Sequence, residues 1–118
     1  MSTLIACVGL GKGTWSQVIP VIEHEDWDKV LVITNKFGAE KFPTKKAVER
    51  VIVDTDQEIE DLEAEVRSKI RGQTGFGDVG VNIVSGTGKE HMAIISALLK
   101  LGAGIRLVAW DGKKVIDF

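Results

Sequence analysis

Twice in this chain an apolar run of strand length passes straight into a glycine-rich loop, and each loop passes straight into a helical pattern. The first run is Leu4 to Val8, followed by Gly9-Leu10-Gly11-Lys12-Gly13. The second is Val79 to Val84, followed by Ser85-Gly86-Thr87-Gly88-Lys89. A strand that feeds a helix tends to return to its sheet as a parallel strand, because a parallel pair needs a long crossover that a hairpin turn cannot supply. The repeated unit therefore points to an α/β sheet, and away from a helical bundle or an antiparallel sandwich.

The remaining segments continue the alternation. Thr14-Trp15-Ser16-Gln17 has the spacing of a capping box with Thr14 as N-cap, and predicts a helix through Val18, Ile19, Val21 and Ile22 with Pro20 early in it. Lys29 to Thr34 reads as a second strand, ending at Asn35-Lys36-Phe37-Gly38. Pro43 breaks residues 39–50, where one or two short helical turns fit. Arg50 to Val53 begins a third strand. Thr55-Asp56-Gln57-Glu58 reads as a second capping box, and Ile59, Leu62, Val66 and Ile70 give the helix behind it one apolar face. Gly72 closes that helix as its C′ residue, and Gln73 to Asp78 is a glycine-rich connection. The helix from Lys89 to Leu101 is apolar almost all round, which predicts burial on more than one side. Ile105 to Trp110, Asp111-Gly112, then Lys113 to Phe118 read as a strand, a two-residue turn and a returning strand. The expected fold is α/β: a Rossmann-like, doubly wound, mostly parallel six-stranded sheet with a C-terminal antiparallel hairpin strand, its strands near 4–8, 29–34, 50–53, 79–84, 105–110 and 113–118.

A chain of 118 residues is one domain's worth and buries an ordinary core without staples. Its 15 basic and 17 acidic residues leave a formal charge of −2, which argues against non-specific binding of duplex nucleic acid but not against a local basic site for a small anion. The single cysteine, Cys7, cannot form an internal disulfide, and there are no cysteine and histidine clusters to suggest a zinc site. No metal or cofactor is expected. The segment after Met1 lacks the basic start of a signal peptide, and no apolar run approaches the roughly 18 residues of a membrane span. The expectation is a cytoplasmic protein with no membrane partner.

If the first and fourth strands are neighbours, as in the 3-2-1-4-5-6 order, both glycine loops flank the topological switch point, where open α/β sheets bind ligands. Glycines let backbone N–H groups approach a ligand, and helix N-termini add a positive field. The candidate ligand-binding residues are Gly9, Gly11, Lys12, Gly13 and Thr14 on the first loop, Thr34, Asn35 and Lys36 after the second strand, and Ser85, Gly86, Thr87, Gly88 and Lys89 on the second loop. Three lysines at strand ends suit a phosphate. Two familiar motifs fail. The third glycine of Gly9-Leu10-Gly11-Lys12-Gly13 arrives one residue too early for a dinucleotide fingerprint, and Thr34 and Asn35 stand where a ribose-binding acid belongs. Ser85 to Lys89 looks like a Walker A tail, but Ile83 occupies its first glycine and Glu90 its magnesium-binding hydroxyl. His24 reads as a surface residue at a helix end. His91, in the first turn after the second loop, either faces the site or the helix surface. Trp15 and Trp110 offer rings for a base, or pack in the core.

The segment Asn82-Ile-Val-Ser-Gly-Thr-Gly-Lys-Glu-His-Met-Ala-Ile-Ile-Ser-Ala-Leu-Leu-Lys-Leu-Gly102 resembles the CARF domain, the CRISPR-associated Rossmann-like sensor of cyclic oligoadenylates. That family places a Thr/Ser-Gly-Gly-Thr-Lys-x-Met type motif after its fourth strand, then an apolar helix, a strand and a hairpin. Ser85, Gly86 and Lys89 fall on the expected residue types, Thr87-Gly88 stands in the reverse order, and Met92 comes one position later. The resemblance implies a homodimer whose two half-sites meet on a two-fold axis around a cyclic oligoadenylate, in antiviral signalling. The family usually carries an effector domain after the hairpin, so the resemblance leaves a stand-alone sensor, a ligand-degrading ring nuclease or an isolated domain of something larger. Cleavage would be metal-independent, by attack of a ribose 2′-hydroxyl on the neighbouring phosphate, with Lys89 and His91 as the catalytic candidates. The alternative reading is a Rossmann-like enzyme or binding protein for a mononucleotide or a phosphorylated metabolite.

Overall fold

The computed structural model describes residues 2–74 and 77–118. Gly75 and Phe76, inside the glycine-rich connection, lie outside the described residues, as does Met1. In chain order the elements are β1 (Thr3–Cys7), a 3-10 turn (Lys12–Thr14), α1 (Trp15–Glu23), β2 (Lys29–Thr34), α2 (Lys36–Lys41), β3 (Glu49–Ile52), α3 (Ile59–Ile70), β4 (Asp78–Asn82), α4 (Gly88–Lys100), β5 (Gly104–Trp110) and β6 (Val115–Asp117). The six strands form one sheet in the order β3-β2-β1-β4-β5-β6. All pairs are parallel except β5 with β6. This is the doubly wound, Rossmann-like arrangement, and β1 and β4 stand side by side at its switch point.

Side chains alternate across the strands, so the sheet feeds two apolar layers. Ile5, Cys7, Leu31, Ile33, Val79 and Val81 meet Leu62, Val66 and Ile70 of α3 and Ala93, Ile94, Ala97 and Leu98 of α4. On the other face Leu4, Ala6, Val8, Val30, Val32 and Val108 meet Trp15, Val18, Val21 and Ile22 of α1, with Phe42 alongside. No helix among the described residues is long and apolar enough to cross a membrane.

Four expectations are corrected. Thr14 precedes α1, but its hydroxyl makes no cap; it turns to the Gly11 carbonyl and to Ser85. The second capping box also fails. The Asp56 N–H closes a local turn on Asp54 Oδ1 and the Gln57 amide reaches Glu65, so the chain stays non-helical until Glu58, and α3 begins at Ile59. A real capping box lies at α4, where Thr87 Oγ1 accepts from the Glu90 N–H and Glu90 Oε1 accepts from the Thr87 N–H. Third, α4 is not buried all round. Its Ala93, Ile94, Ala97 and Leu98 stripe is buried, whereas Met92 is 66% and Leu99 65% exposed. Fourth, the hairpin is looser than a two-residue turn. Gly112 takes the positive φ of 99°, and the Asp111 carboxylate accepts from the Lys113 and Lys114 N–H groups, so pairing resumes only at Val115.

One buried charge ties the two helices of the first layer. Glu63 on α3 accepts two hydrogen bonds from Arg67 and one from Lys100 of α4. Burial works to raise this carboxyl, but the Lys100 and Arg67 hydrogen bonds outweigh it and hold it below the ordinary carboxylate range. A depressed carboxyl contributes stability above its unfolded pKa and loses it as pH falls through the folded one. Glu63→Gln should therefore flatten the pH dependence of unfolding below about pH 4.5. Urea midpoints at pH 7 and pH 3 check this, and equal acid losses in both proteins would remove Glu63 as a source.

Candidate functional site at the carboxyl edge of the sheet

The loops after β1 and β4 meet because neither carries a side chain at the point of contact. A Cβ built on Gly9 would lie 2.6 Å from the Gly86 Cα and 2.8 Å from its nitrogen. Gly86 has φ of 104°, in the left-handed half of backbone space. A Cβ there would lie 2.7 Å from both Cys7 Sγ and Glu90 Oε1. Both positions are reserved for glycine by sterics rather than by loop flexibility.

Hydrogen bonds clasp this contact. The Gly9 N–H donates to Ser85 Oγ at 2.9 Å. The Ser85 and Thr14 hydroxyls lie 2.8 Å apart, and Thr14 Oγ1 lies 2.8 Å from the Gly11 carbonyl. A hydroxyl carries one proton. With the Thr14 proton on Gly11, Ser85 donates to Thr14 while accepting from Gly9, and the chain is complete. Beneath it, Trp15 Nε1 donates to the Gly9 carbonyl at 2.9 Å, and Thr34 Oγ1 donates to the Val8 carbonyl at 2.7 Å.

This sorts the candidate residues. Ser85 is 0% exposed and Thr34 is buried, and both side chains are spent on holding β1 and its loop. Asn35 caps α2 through the Gly38 N–H. Gly9 is buried between the loops. Gly11, Lys12 and Gly13, with Gly86, Thr87 and Gly88, form the exposed rim, and Lys36 is exposed beside them at the start of α2. The first N–H groups of a helix have no partner within it. At α4 the capping box occupies Thr87 and Glu90, which leaves Gly88 and Lys89 N–H groups for an anion. The Lys12 ammonium lies over the Phe37 ring, 5.4 Å from its centroid. Lys89 reaches away from the glycines, and its Nζ donates to the Gln57 carbonyl at 2.9 Å.

His91 is half-buried, with Nε2 2.8 Å from the Ser85 carbonyl. A carbonyl only accepts, so Nε2 carries the proton and Nδ1 of the neutral ring is the basic nitrogen. Cys7 is a packed core residue. Burial, then the Glu90 carboxylate beside it, push its thiol well above the ordinary range, so it stays protonated and inert. His24 stacks on Trp110, with ring centroids 4.8 Å apart.

Sequence reasoning missed Glu90, although Thr87-x-x-Glu90 carries a capping-box spacing. It also missed a depression beside the loops, between the ends of β2 and β3. This hollow has a volume of about 460 Å³ and is lined by Asn35, Lys36, Phe37, Ile52, Asp54 and Asp56, among others.

The sequence matches no protein-family model and no curated protein.

Proposed function

We propose that the chain is a CARF-like domain that binds a cyclic oligoadenylate and acts in CRISPR antiviral signalling in the cytoplasm. The observation that carries the reading is the meeting of two glycine loops, from adjacent parallel strands, at Gly9 and Gly86. Exposed backbone N–H groups and the cations of Lys12 and Lys36 surround that contact, an arrangement suited to phosphodiester groups. The motif resemblance around Ser85 to Met92 supports the choice of family, and the exposed loop amides and lysines support phosphate as the group bound.

The homodimer belongs to the same reading. The face of β5 and β6 opposite α1 carries Ile105, Leu107, Ile116 and Phe118, with Leu107 38% and Phe118 74% exposed. Ile95 and Leu99 of α4 continue this apolar strip. A second copy is the occupant proposed for it, since a two-fold ligand suits two half-sites.

Ring cleavage is proposed as slow and metal-independent. Loop amides would stabilise charge on the phosphoryl oxygens, and Lys89 would turn from Gln57 to the phosphate. His91 Nδ1 would take the proton of the attacking 2′-hydroxyl as its oxygen bonds to phosphorus; the P–O5′ bond would break, leaving a 2′,3′-cyclic phosphate and a 5′-oxygen that takes a proton from water.

The test is calorimetric titration with cyclic tetra- and hexa-adenylate, with AMP, ATP and NAD as competitors. Lys89→Ala should weaken ring binding by about 1–3 kcal/mol, roughly 5- to 150-fold, as for loss of a charge-assisted hydrogen bond. The same incubations in EDTA, followed by chromatography, report opening of the ring. Binding of AMP but of neither ring would replace this reading with the mononucleotide one.

A further inference from the structure

Beside the loops that would hold phosphate lies the 460 Å³ depression, a volume within the range of small-molecule pockets. Phe37 joins the two regions. Its ring lies under the Lys12 ammonium of the first loop and 6.5 Å from Trp15, and it also forms a wall of the depression. From the other side, Lys89 of the second loop is bonded to Gln57, on the turn that carries Asp54 and Asp56. The hollow thus adjoins the glycine-loop site through Phe37 and the Lys89–Gln57 bond, at the carboxyl ends of β2 and β3.

Its chemistry is graded. Lys36 lines its β2 side, and Lys12 of the first loop lies over the adjoining Phe37 ring. Phe37, Ile52 and Val53 give an apolar stretch in the middle, with Phe37 40% and Ile52 44% exposed. Asp54, Thr55 and Asp56 line its β3 side. The Glu65 carboxylate there is already occupied by the Asp54 N–H, Gln57 and Lys69. Asp54 spends one oxygen on the Asp56 N–H. Its other oxygen and the whole Asp56 carboxylate have no hydrogen-bond partner among the described residues. The free Asp54 oxygen and the Asp56 carboxylate repel a phosphate and attract neutral donors. A nucleotide has the matching polarity, with an anion at one end and hydroxyl and amino donors at the other.

We propose that this depression is the nucleoside subsite of the candidate site. In it a base lies against Phe37 and Ile52, and the Asp54 and Asp56 carboxylates accept from ribose hydroxyls. The acid that dinucleotide sites carry at the end of their second strand is absent here, and the turn after β3 supplies its counterpart. The inference rests on the phosphate reading above for its orientation, and it applies to any nucleotide, cyclic or not.

The test separates the two ends. Amide NMR spectra of the labelled protein are recorded with adenosine, with inorganic phosphate and with AMP. Adenosine should shift residues 35–37 and 52–56 and leave Gly11, Gly86 and Gly88 in place. Phosphate should do the reverse, and AMP should move both sets. Replacing adenosine by 2′,3′-dideoxyadenosine should weaken binding about tenfold in the wild type, and much less in the double variant Asp54→Asn, Asp56→Asn. Phosphate shifts at the glycine loops with no adenosine shifts at 35–37 and 52–56 would overturn the subsite and keep the phosphate reading. Adenosine shifts without phosphate shifts would keep the subsite and remove the reading beneath it. Equal discrimination against the dideoxy nucleoside in wild type and double variant would overturn the role given to the carboxylates.

Discussion

Replacing Gly86 with alanine is expected to cost about 2–4 kcal/mol of folding stability, one of the largest effects of adding a single carbon to this protein. Two penalties combine. A φ of 104° is a conformation that alanine adopts only under strain. The added carbon would also arrive 2.7 Å from the buried Cys7 Sγ and 3.2 Å from His91 Nε2. Cys7 sits inside a strand and cannot retreat, and His91 is held by the Ser85 carbonyl. Urea unfolding checks the value, as a shift in midpoint at unchanged slope. Gly88→Ala is the internal control. Nothing lies within 4 Å of a Cβ there, and the residue opens a helix, so the change should be neutral or slightly stabilising. Equal losses in the two variants would show that general loop rigidity, and not the close approach at Gly86, sets the cost.

The second large effect is on assembly. Leu99→Asp combined with Leu107→Asp should convert a dimer into a monomer at micromolar concentration. A charge placed in an apolar interface, with no partner to satisfy it, costs about 3–5 kcal/mol, and a two-fold axis counts each substitution twice. Both leucines are well exposed in the single chain, so its fold should survive and its circular dichroism should be unchanged. Light scattering decides among the outcomes. A monomeric wild type would remove the dimer from the proposed function. A variant that stays dimeric would place the interface on another face.

The sheet was legible because its central strands β1 and β2 are compact, mostly apolar runs, each followed within two residues by glycine or asparagine. The adjacency of β1 and β4 followed from chain order and crossover handedness. Local helix signals were less informative. Thr14 and Thr55 stand at the right spacing for caps, but Thr14 finds a better partner in Ser85, about seventy residues away, and the turn at Asp54 keeps Thr55 out of the helix. Composition also misled at α4. A helix rich in leucine and isoleucine is expected to be covered on several sides, yet β5 lies at the margin of the helical layer and, among the described residues, no further helix packs beyond α4 there. For the site, the glycines and their loops could be read, but not which polar side chains face inward. Ser85 and Thr34 look like ligand contacts in sequence, and only the packing of β1 between β2 and β4 shows that both serve the Val8–Gly9 backbone.

The clasp between Thr14 and Ser85 spans 71 residues of chain. Contacts of such sequence separation carry a loop-closure cost that must be met before they contribute anything. The N-terminal half contains one glycine loop and the C-terminal half the other, and neither half alone presents the paired surface. A ligand held by both loops would thus have no affinity for a partly folded chain. All of its binding free energy would appear as stabilisation of the finished sheet, growing with the logarithm of ligand concentration. Melting temperature would then serve as a direct readout of occupancy, and the order of events during synthesis would run from sheet closure to binding, never the reverse.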